Sequence, residues 1–228
     1  MLLRKVGGCL AAFLLLGGFT LPVSPVGSTA QIGVPREIPQ LQCVPTKETF
    51  IDCVSLMIGR INDQIVEDRK TLQSISAAVK CGYTAIDAPA SEWLLHKLVE
   101  YQVDNLRDLD ERMRPVPVEL AVAQSAVETG WGTSHAAKER HNLFGFVSQT
   151  DSPVPFLGTY SSAVAYVHTL NVHRAYSGFR RTRLETDDAH VLAGTLTRYS
   201  ILGKDYTKFI QSIIRDIRNH VHPAQKQS

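Results

Sequence analysis

The chain has 228 residues, of which 44% are hydrophobic and 20% are charged, and its formal net charge is +2. So small a charge, without a basic run interleaved with aromatic residues, excludes the composition typical of a nucleic-acid-binding protein. The chain contains no internal repeat and no low-complexity segment, and its length suits one compact domain with a helical extension.

The first 30 residues have the features of a secretory signal peptide. Arg4 and Lys5 form its basic start, an apolar run begins at Leu10, and a plausible cleavage site ends at Ala30. Cys9 precedes the apolar core, which does not suit a lipoprotein cysteine. An uncleaved membrane anchor is the alternative, and only then would the protein contact the membrane. We therefore expect an exported protein of the periplasm or cell envelope.

Residues 31–46 are rich in proline and predict an extended linker. Beyond it, apolar residues recur at spacings of three and four, and this heptad stripe predicts one amphipathic helix from about Glu48 to Lys80, ending near Gly82. The helix would pack along its own domain or pair with a second copy in a dimer. Intrachain packing is favoured because Asp68 interrupts so short a coiled coil. The stripe consists of Ile51, Val54, Ile58, Ile61, Ile65, Leu72, Ile75 and Val79.

Three cysteines lie beyond the predicted signal peptide, namely Cys43, Cys53 and Cys81. An odd number in an exported protein allows one internal disulfide with a free thiol, or pairing between chains. The sequence leaves all three internal pairings open.

Further helical segments follow the long helix. One begins at Ser91, and the charged region from Asp104 to Arg114 continues as another before Pro115, which completes a helical N-terminal extension over residues 47–114. The main domain then covers residues 115–220, and residues 221–228 form a loose tail. Residues 146–160 are rich in proline and form a small lobe that would roof a cleft. Later helices are expected near Ser162–His173, Asp188–Arg198 and Tyr206–Asn219.

One helix of the main domain carries a carboxylate into a glycine-rich bend. Pro117 suits the first helical position, and Gly130 and Gly132 supply the stop. Glu128 therefore sits in the last turn, where the helix dipole and apolar neighbours, Trp131 included, disfavour its ionised form. We predict a raised pKa, which would keep this acid protonated near neutral pH and able to donate to a leaving oxygen. The alternative is a solvent-facing glutamate at a frayed helix end.

The residues around this helix end resemble the signature of the glucosaminidase family of bacterial cell-wall hydrolases. That signature is roughly A-Q-x-A-x-E-[ST]-G-W-G-[TS]-S, followed after a short variable stretch by N-N-L-F-G. His141 departs from it, because the family commonly has Asn there. So long an ordered string is far more specific than a short motif. The matching residues are Ala123, Gln124, Ala126, Glu128, Thr129, Gly130, Trp131, Gly132, Thr133, Ser134, Asn142, Leu143, Phe144 and Gly145.

The resemblance extends to the Bax-like branch of that family. The segments Tyr160 to Arg180 and Leu196 to Ile210 are similar to its N-x-H-x-A-Y and Y-S-x-x-G-x-x-Y blocks, and Ile61 to Leu72 resembles its long N-terminal helix. The resemblance implies a mainly α fold, in which a lysozyme-like α-rich domain with a small β/loop lobe follows a long amphipathic N-terminal helix. Residues 115–220 would then be the catalytic domain.

The implied reaction is hydrolysis of the β-1,4 bond after N-acetylglucosamine in peptidoglycan, with Glu128 as the general acid. The group that meets the charge on the anomeric carbon is open between Asp151, the only acid of the roof segment, and the sugar's own 2-acetamido group. Tyr206 is the candidate for orienting that acetamido group or steadying the reacting centre, and its alternative is packing at a helix start. Whether the reaction retains or inverts configuration is also open.

Four residues are predicted to bind substrate: Gln124, Trp131, Asn142 and Phe144. Aromatic faces lie against sugar rings, and an amide can hydrogen-bond an acetamido group. Trp131 has an alternative, which is to wedge the helix end into the core. Gln124 lies one turn before Glu128 and would line the cleft or satisfy a buried backbone group.

Other polar residues give weaker signals. No histidine pair has metal-ligand spacing, so neither a metal nor another cofactor is expected. Arg180, Arg181 and Arg183 form a basic cluster that would meet carboxylates of peptidoglycan stem peptides or, the favoured interpretation, lie in a solvated loop. Tyr176 and Phe179 are expected to pack rather than to bind sugar.

Two other functions fit the same residues. A lytic transglycosylase also uses a single glutamate in an α-rich domain, but it releases anhydro-sugar products. A non-catalytic peptidoglycan-binding or scaffold protein, dimerising through the heptad helix, would bind the polymer without cleaving it. In all three cases the partner is the glycan strand of peptidoglycan.

Overall fold

A computed structural model describes residues 46–82 and 86–221, with side chains through Arg218. The predicted signal peptide, the linker before Thr46, Cys43 and the tail from residue 222 lie outside the described residues. Within that part the chain forms nine α-helices and one isolated bridge between Val147 and Pro153, so the fold is mainly α, as predicted. The helices are α1 Lys47–Lys80, α2 Ala88–Glu100, α3 Leu106–Arg112, α4 Val118–Thr129, α5 His135–Arg140, α6 Thr159–Val172, α7 Ser177–Thr182, α8 Ala189–Ala193 and α9 Lys204–Val221.

Helix α1 begins with a capping box, in which Thr46 and Thr49 each satisfy the other's backbone N–H. Its buried residues follow the predicted stripe and pack against α4 and α6 of the same chain. Intrachain packing is therefore confirmed. Five residues of the stripe, namely Val54, Ile58, Ile61, Ile65 and Leu72, already lie in the chain's own core, and Val79 is 45% exposed, so the structure gives no support to a dimer formed through this stripe.

Helix α4 occupies the centre of the core, where it contacts α1 on one side and α8 and α9 on another. Every side chain from Leu120 to Ala126 is buried, so the helix has no solvent-facing side along that stretch. Its C-terminal end is thereby held rigidly among the other helices.

Polar contacts connect α1 to the backbone that leads into α4. The Asn62 side chain donates to the carbonyl of Val116 at 2.8 Å and accepts from the same residue's N–H at 3.0 Å. Arg69 donates to the carbonyls of Asp110 and Met113 and forms an ion pair with the Asp110 carboxylate. These bonds fix the long helix relative to the chain between α3 and α4.

Two arginines of the predicted basic cluster are buried, and the expectation of a solvated loop or of stem-peptide contacts is wrong for them. Arg180 is 4% exposed and donates to the carbonyl of His173 at 2.9 Å, just beyond the end of α6. Arg183 is 7% exposed and donates to Asn171 Oδ1 at 2.6 Å. Their guanidinium groups satisfy oxygens near a helix C-terminus, where the dipole favours a cation. Arg181 alone of the three is exposed.

Cys53 is disulfide-bonded, whereas Cys81, at the end of α1, is free and exposed. The partner of Cys53 therefore lies outside the described residues. Tyr176 and Phe179 are 2% and 0% exposed, which confirms that they pack in the core.

Short helices account for most differences from the predicted elements. Helix α2 begins at Ala88 rather than at Ser91, because Asp87 supplies the N-cap by accepting from Ala90 N–H at 2.8 Å. The helix predicted over Asp188–Arg198 ends at Ala193 in the structure, as α8. Helices α5 and α7, with six residues each, were not predicted, since so short a segment has no measurable period. No helix in residues 46–82 or 86–221 combines the length and apolar character needed to span a bilayer.

Candidate active site

The bend after α4 consists of three consecutive residues in the left-handed region. The φ angles of Gly130, Trp131 and Gly132 are +57°, +61° and +79°. The Thr129 side chain braces the bend, because its hydroxyl accepts from Gly132 N–H at 2.8 Å. Left-handed backbone suits glycine but is strained for a bulky residue such as Trp131. The bend places Glu128 in the last helical turn, as predicted.

Glu128 lies among apolar and aromatic groups and is only partly exposed. Burial raises the pKa of its carboxyl to about 8, and a hydrogen bond from Tyr206 acts in the opposite direction. The predicted rise in pKa is therefore confirmed. Glu128 forms no ion pair with any residue of the described ranges. The alternative of a solvent-facing glutamate at a frayed end is wrong, because the carboxyl is hydrogen-bonded inside the fold.

A chain of three hydrogen bonds leads from the core to this carboxyl. The Tyr166 hydroxyl donates to Gln124 Oε1 at 2.8 Å, and Gln124 Nε2 donates to the Tyr206 hydroxyl at 3.0 Å. Tyr206 then donates to Glu128 Oε1 at 2.9 Å. Residues from α6, α4 and α9 thus meet behind the acid, and all but the acid itself are buried.

Stacked aromatic rings hold this chain in place. The Tyr206 ring stacks on Tyr199 with centroids 5.6 Å apart, and the Tyr166 ring stacks on Phe144 at 4.0 Å. The Tyr199 hydroxyl donates to the Phe144 carbonyl at 3.0 Å, which joins the two stacks. The positions of both tyrosine hydroxyls in the chain are therefore fixed by ring packing as well as by their hydrogen bonds.

Gly145 lies directly against the other oxygen of the acid. Its φ is +69°, and a Cβ at this position would overlap Glu128 Oε2. The positive φ favours glycine, and a larger residue would also displace the Glu128 carboxyl, which together give a physical reason for the glycine that ends the second part of the signature.

The predicted small β/loop lobe contains a tight turn closed by one antiparallel bridge. Ser148 N–H donates to the Ser152 carbonyl at 2.8 Å beside the bridge from Val147 to Pro153. Asp151 is exposed in this turn, with φ +57°. Its role as the second catalytic group stays a prediction.

Three of the four predicted sugar-binding residues are almost fully buried. Gln124, Asn142 and Phe144 are 0%, 1% and 1% exposed. Gln124 bonds two tyrosine hydroxyls, not the backbone group expected of it. Asn142 holds the small lobe by donating to the Phe146 carbonyl at 2.7 Å and accepting from the same residue's N–H. The prediction that these three residues contact sugar directly is therefore wrong, because their side chains contact other residues within the core.

Trp131 is partly exposed and rests against the first turn of α1. Its ring meets Phe50 edge to face, with centroids 6.0 Å apart, and Lys47 Nζ lies 4.9 Å from the ring centroid. The predicted wedge between helix end and core is thus present. The exposed part of the ring leaves a role in sugar binding as a proposal.

Sequence reasoning missed Tyr166, Tyr199, Phe50 and Lys47. For Tyr199 the available signal was its place as the first tyrosine of the Y-S-x-x-G-x-x-Y block. For Tyr166 it was that a tyrosine in an apolar stretch needs a partner for its hydroxyl. No signal pointed to Phe50 or Lys47, because their contact with Trp131 is long-range. His141, the departure from the signature, has φ +52°, a left-handed position that suits Asn and is also adopted by His.

No group of His, Cys, Asp and Glu side chains within the described part of the chain is arranged to hold a metal ion.

Comparisons with known proteins agree with this arrangement. The family described as mannosyl-glycoprotein endo-beta-N-acetylglucosaminidase matches residues 104–219, which include α4 and the whole hydrogen-bonded chain. The sequence is 34% identical over 197 residues to protein bax of Escherichia coli strain K12, in an alignment that covers 75% of this chain and 70% of that protein. No solved structure matches the chain.

Proposed function

The chain belongs to the glucosaminidase family, and from this we propose that it is a cell-wall hydrolase that cleaves the β-1,4 bond after N-acetylglucosamine in peptidoglycan. Glu128 is the general acid. An extracellular or envelope location suits a substrate that is itself the cell wall. Membership of the family supports cleavage of a glycosidic bond, and we propose which bond is cleaved and which residue donates the proton.

One observation carries the proposal, namely a carboxyl at a helix end that is partly buried, forms no ion pair with the residues that the structure describes, and accepts a hydrogen bond from a buried tyrosine. With its pKa raised to about 8, Glu128 is largely protonated at neutral pH. It donates its proton to the glycosidic oxygen as the bond from that oxygen to the anomeric carbon breaks. Positive charge then develops on the anomeric carbon.

The second group is Asp151 or the substrate's 2-acetamido group, and water completes hydrolysis in either case. Tyr206 is 3% exposed, and its hydroxyl already donates to Glu128 and accepts from Gln124. These contacts support a role in steadying the acid rather than in orienting the acetamido group. Tyr206 is thus proposed as a positioning residue.

Zymography on purified sacculi tests the proposal. Glu128→Gln keeps the shape of the side chain but has no proton to donate, so the clearing zone should disappear while the circular dichroism spectrum is retained. Glu139→Gln is the matched control, because it makes the same chemical change at an exposed glutamate of α5 and should clear like wild type. Clearing by Glu128→Gln would contradict the proposal.

Mass spectrometry of the soluble products separates the remaining alternatives. Reducing N-acetylglucosamine ends are expected. Anhydro-muramic products would indicate a lytic transglycosylase, and sacculi that bind the protein without releasing products would indicate a scaffold protein.

A further inference from the structure

We propose that Tyr166 and Gln124 are positioning residues of this reaction, which fix the direction of the Tyr206 hydroxyl and so reserve Oε2 of Glu128 for the proton that is donated. The proposal rests on the proposed role of Glu128 as the acid. It assigns a function to two buried side chains that cannot touch the substrate.

The direction of the chain follows from the two unlike ends of an amide. Gln124 Oε1 accepts from the Tyr166 hydroxyl at 2.8 Å, so Nε2 is the end presented to Tyr206. A hydroxyl has one hydrogen and can accept through its oxygen. Because the Tyr206 oxygen already accepts from Gln124, its hydrogen points to Glu128 Oε1, 2.9 Å away. With the amide turned round, Tyr206 would donate to Gln124 instead and could not donate to the acid.

This direction determines which oxygen of the acid carries its proton. Oε1 is occupied as an acceptor, so the single proton of the carboxyl resides on Oε2. Oε2 lies beside Gly145, where the absence of a Cβ leaves it room. When the proton leaves, Glu128 becomes a carboxylate and the Tyr206 hydrogen bond becomes charge-assisted, hence stronger. The chain therefore stabilises the product of proton donation more than the starting acid.

Because its members are buried, water cannot easily replace the hydrogen bonds of this chain. Gln124, Tyr166 and Tyr206 are 0%, 1% and 3% exposed. Burial, and then the nearby Glu128, raise the pKa of Tyr176, Tyr199 and Tyr206 above the ordinary 10. None of these tyrosines ionises near neutral pH. The fall of kcat on the alkaline side of its pH profile, the alkaline limb, therefore reports the ionisation of Glu128 itself.

The test compares Tyr166→Phe, Gln124→Met and Tyr206→Phe. Tyr166→Phe keeps the ring that stacks on Phe144 and removes only the hydroxyl. Tyr101→Phe is the control, since it deletes the hydroxyl of another buried tyrosine, 4% exposed, away from the chain. The substrate is a soluble glycan strand made from peptidoglycan freed of its stem peptides.

We expect each of the three variants of the hydrogen-bonded chain to lower kcat about tenfold and to leave KM little changed. A tenfold loss corresponds to a hydrogen bond of about 1.4 kcal/mol. The alkaline limb of the kcat profile should move to higher pH in each, because a weaker donor at Oε1 raises the pKa of Glu128 further. Tyr206→Phe should shift it most. Tyr101→Phe should keep the wild-type kcat and profile.

A double variant distinguishes a connected chain from separate packing defects. The kcat of the double variant, Tyr166→Phe with Gln124→Met, should be no lower than that of the worse single variant. If the two substitutions acted independently, their fold losses in kcat would multiply. Folded Tyr166→Phe with wild-type kcat and alkaline limb would overturn the proposal, as would a change in KM alone. If Gln124→Met does not fold, Tyr166→Phe decides the question. Activity of Glu128→Gln would instead overturn the proposed function, so the two failures are distinguishable.

Discussion

Gly145 determines how closely the backbone approaches the acid. Gly145→Ala adds a Cβ that overlaps Glu128 Oε2, the oxygen proposed to carry the donated proton, and forces an L side chain to adopt φ +69°. We expect activity to fall at least about 100-fold because the carboxyl must move away from its position. The left-handed backbone alone should cost about 1–2 kcal/mol of unfolding free energy.

Gly82→Ala separates these two effects. Gly82 has φ +83° at the end of α1, and a Cβ there would meet no atom of the described residues within 4 Å. It should therefore lose a similar unfolding free energy in denaturant titration but keep wild-type hydrolysis of sacculi. Equal activity of the two variants would contradict the role given to Gly145.

Glu128 should also lower the stability of the protein as pH rises. Its pKa is about 8 in the folded chain against an ordinary 4.5. Between these values the unfolded chain has released the proton while the folded chain still holds it, so the free energy of unfolding falls as pH rises through this window. In Glu128→Gln the amide mimics the protonated acid and cannot ionise, so the free energy of unfolding of this variant does not fall for this reason as pH rises.

We therefore predict that Glu128→Gln melts at a temperature similar to wild type at pH 4.5 and higher than wild type, by at least about 3 °C, at pH 8. Calorimetric melts across this range test the prediction. A gap that does not grow with pH would mean that Glu128 ionises normally in the folded protein.

At the scale of elements, the first turn of α1 supports the bend that follows α4. Phe50 is 1% exposed and contacts the Trp131 ring edge to face, which helps to hold a bulky residue at φ +61°. Phe50→Ala should cost about 3–5 kcal/mol and loosen the bend that follows Glu128. In a Trp93→Phe background the emission of Trp131, then the only tryptophan, should shift to longer wavelength and kcat should fall.

Ile75→Ala is the control at the other end of the same helix. Ile75 is 5% exposed, so its truncation also leaves a cavity, but it is absent from the cluster that contains Phe50. It should lower stability without changing Trp131 emission in the folded protein. Identical spectra for the two variants would refute the proposed support of the bend.

The length and periodicity of each helix explain which elements of the fold were predictable from the sequence. The stripe of α1 was predictable because apolar residues at a helical period must face a core, and ten residues of this helix are buried. Helices α5 and α7 were not predicted because they are too short to show a period. The burial of Arg180 and Arg183 depends on carbonyls that only the tertiary structure brings to them.

For the site, the position and raised pKa of Glu128 were predictable from local rules for helix ends and burial. The places of Gln124, Asn142 and Phe144 were not, because the sequence does not say which side of a buried element faces the cleft. An amide or an aromatic ring serves equally well for a sugar contact or for a hydrogen bond and a stack within the core. The structure gives all three the second kind of role.

At the scale of the whole molecule, the long helix and the main domain share one core. Phe50, Val54 and Ile58 of α1 belong to the same cluster of buried residues as Leu120 of α4 and Ile214 of α9. The match to the glucosaminidase family nevertheless begins only at residue 104. We therefore propose that the family-matched part is not stable without the helix that precedes it.

A protein truncated to begin at Asp104 tests this proposal. It lacks α1 and α2, and it exposes the sides of α4 and α6 that pack against α1. It also lacks Asn62, whose side chain forms both hydrogen bonds with the Val116 backbone. Because a domain of this size is only about 5–15 kcal/mol stable, loss of so many buried apolar contacts should abolish cooperative melting and activity. A protein beginning at Gln31 is the control and should melt cooperatively and clear sacculi, whereas a cooperative melt of the shorter chain would show that residues 104–228 fold independently.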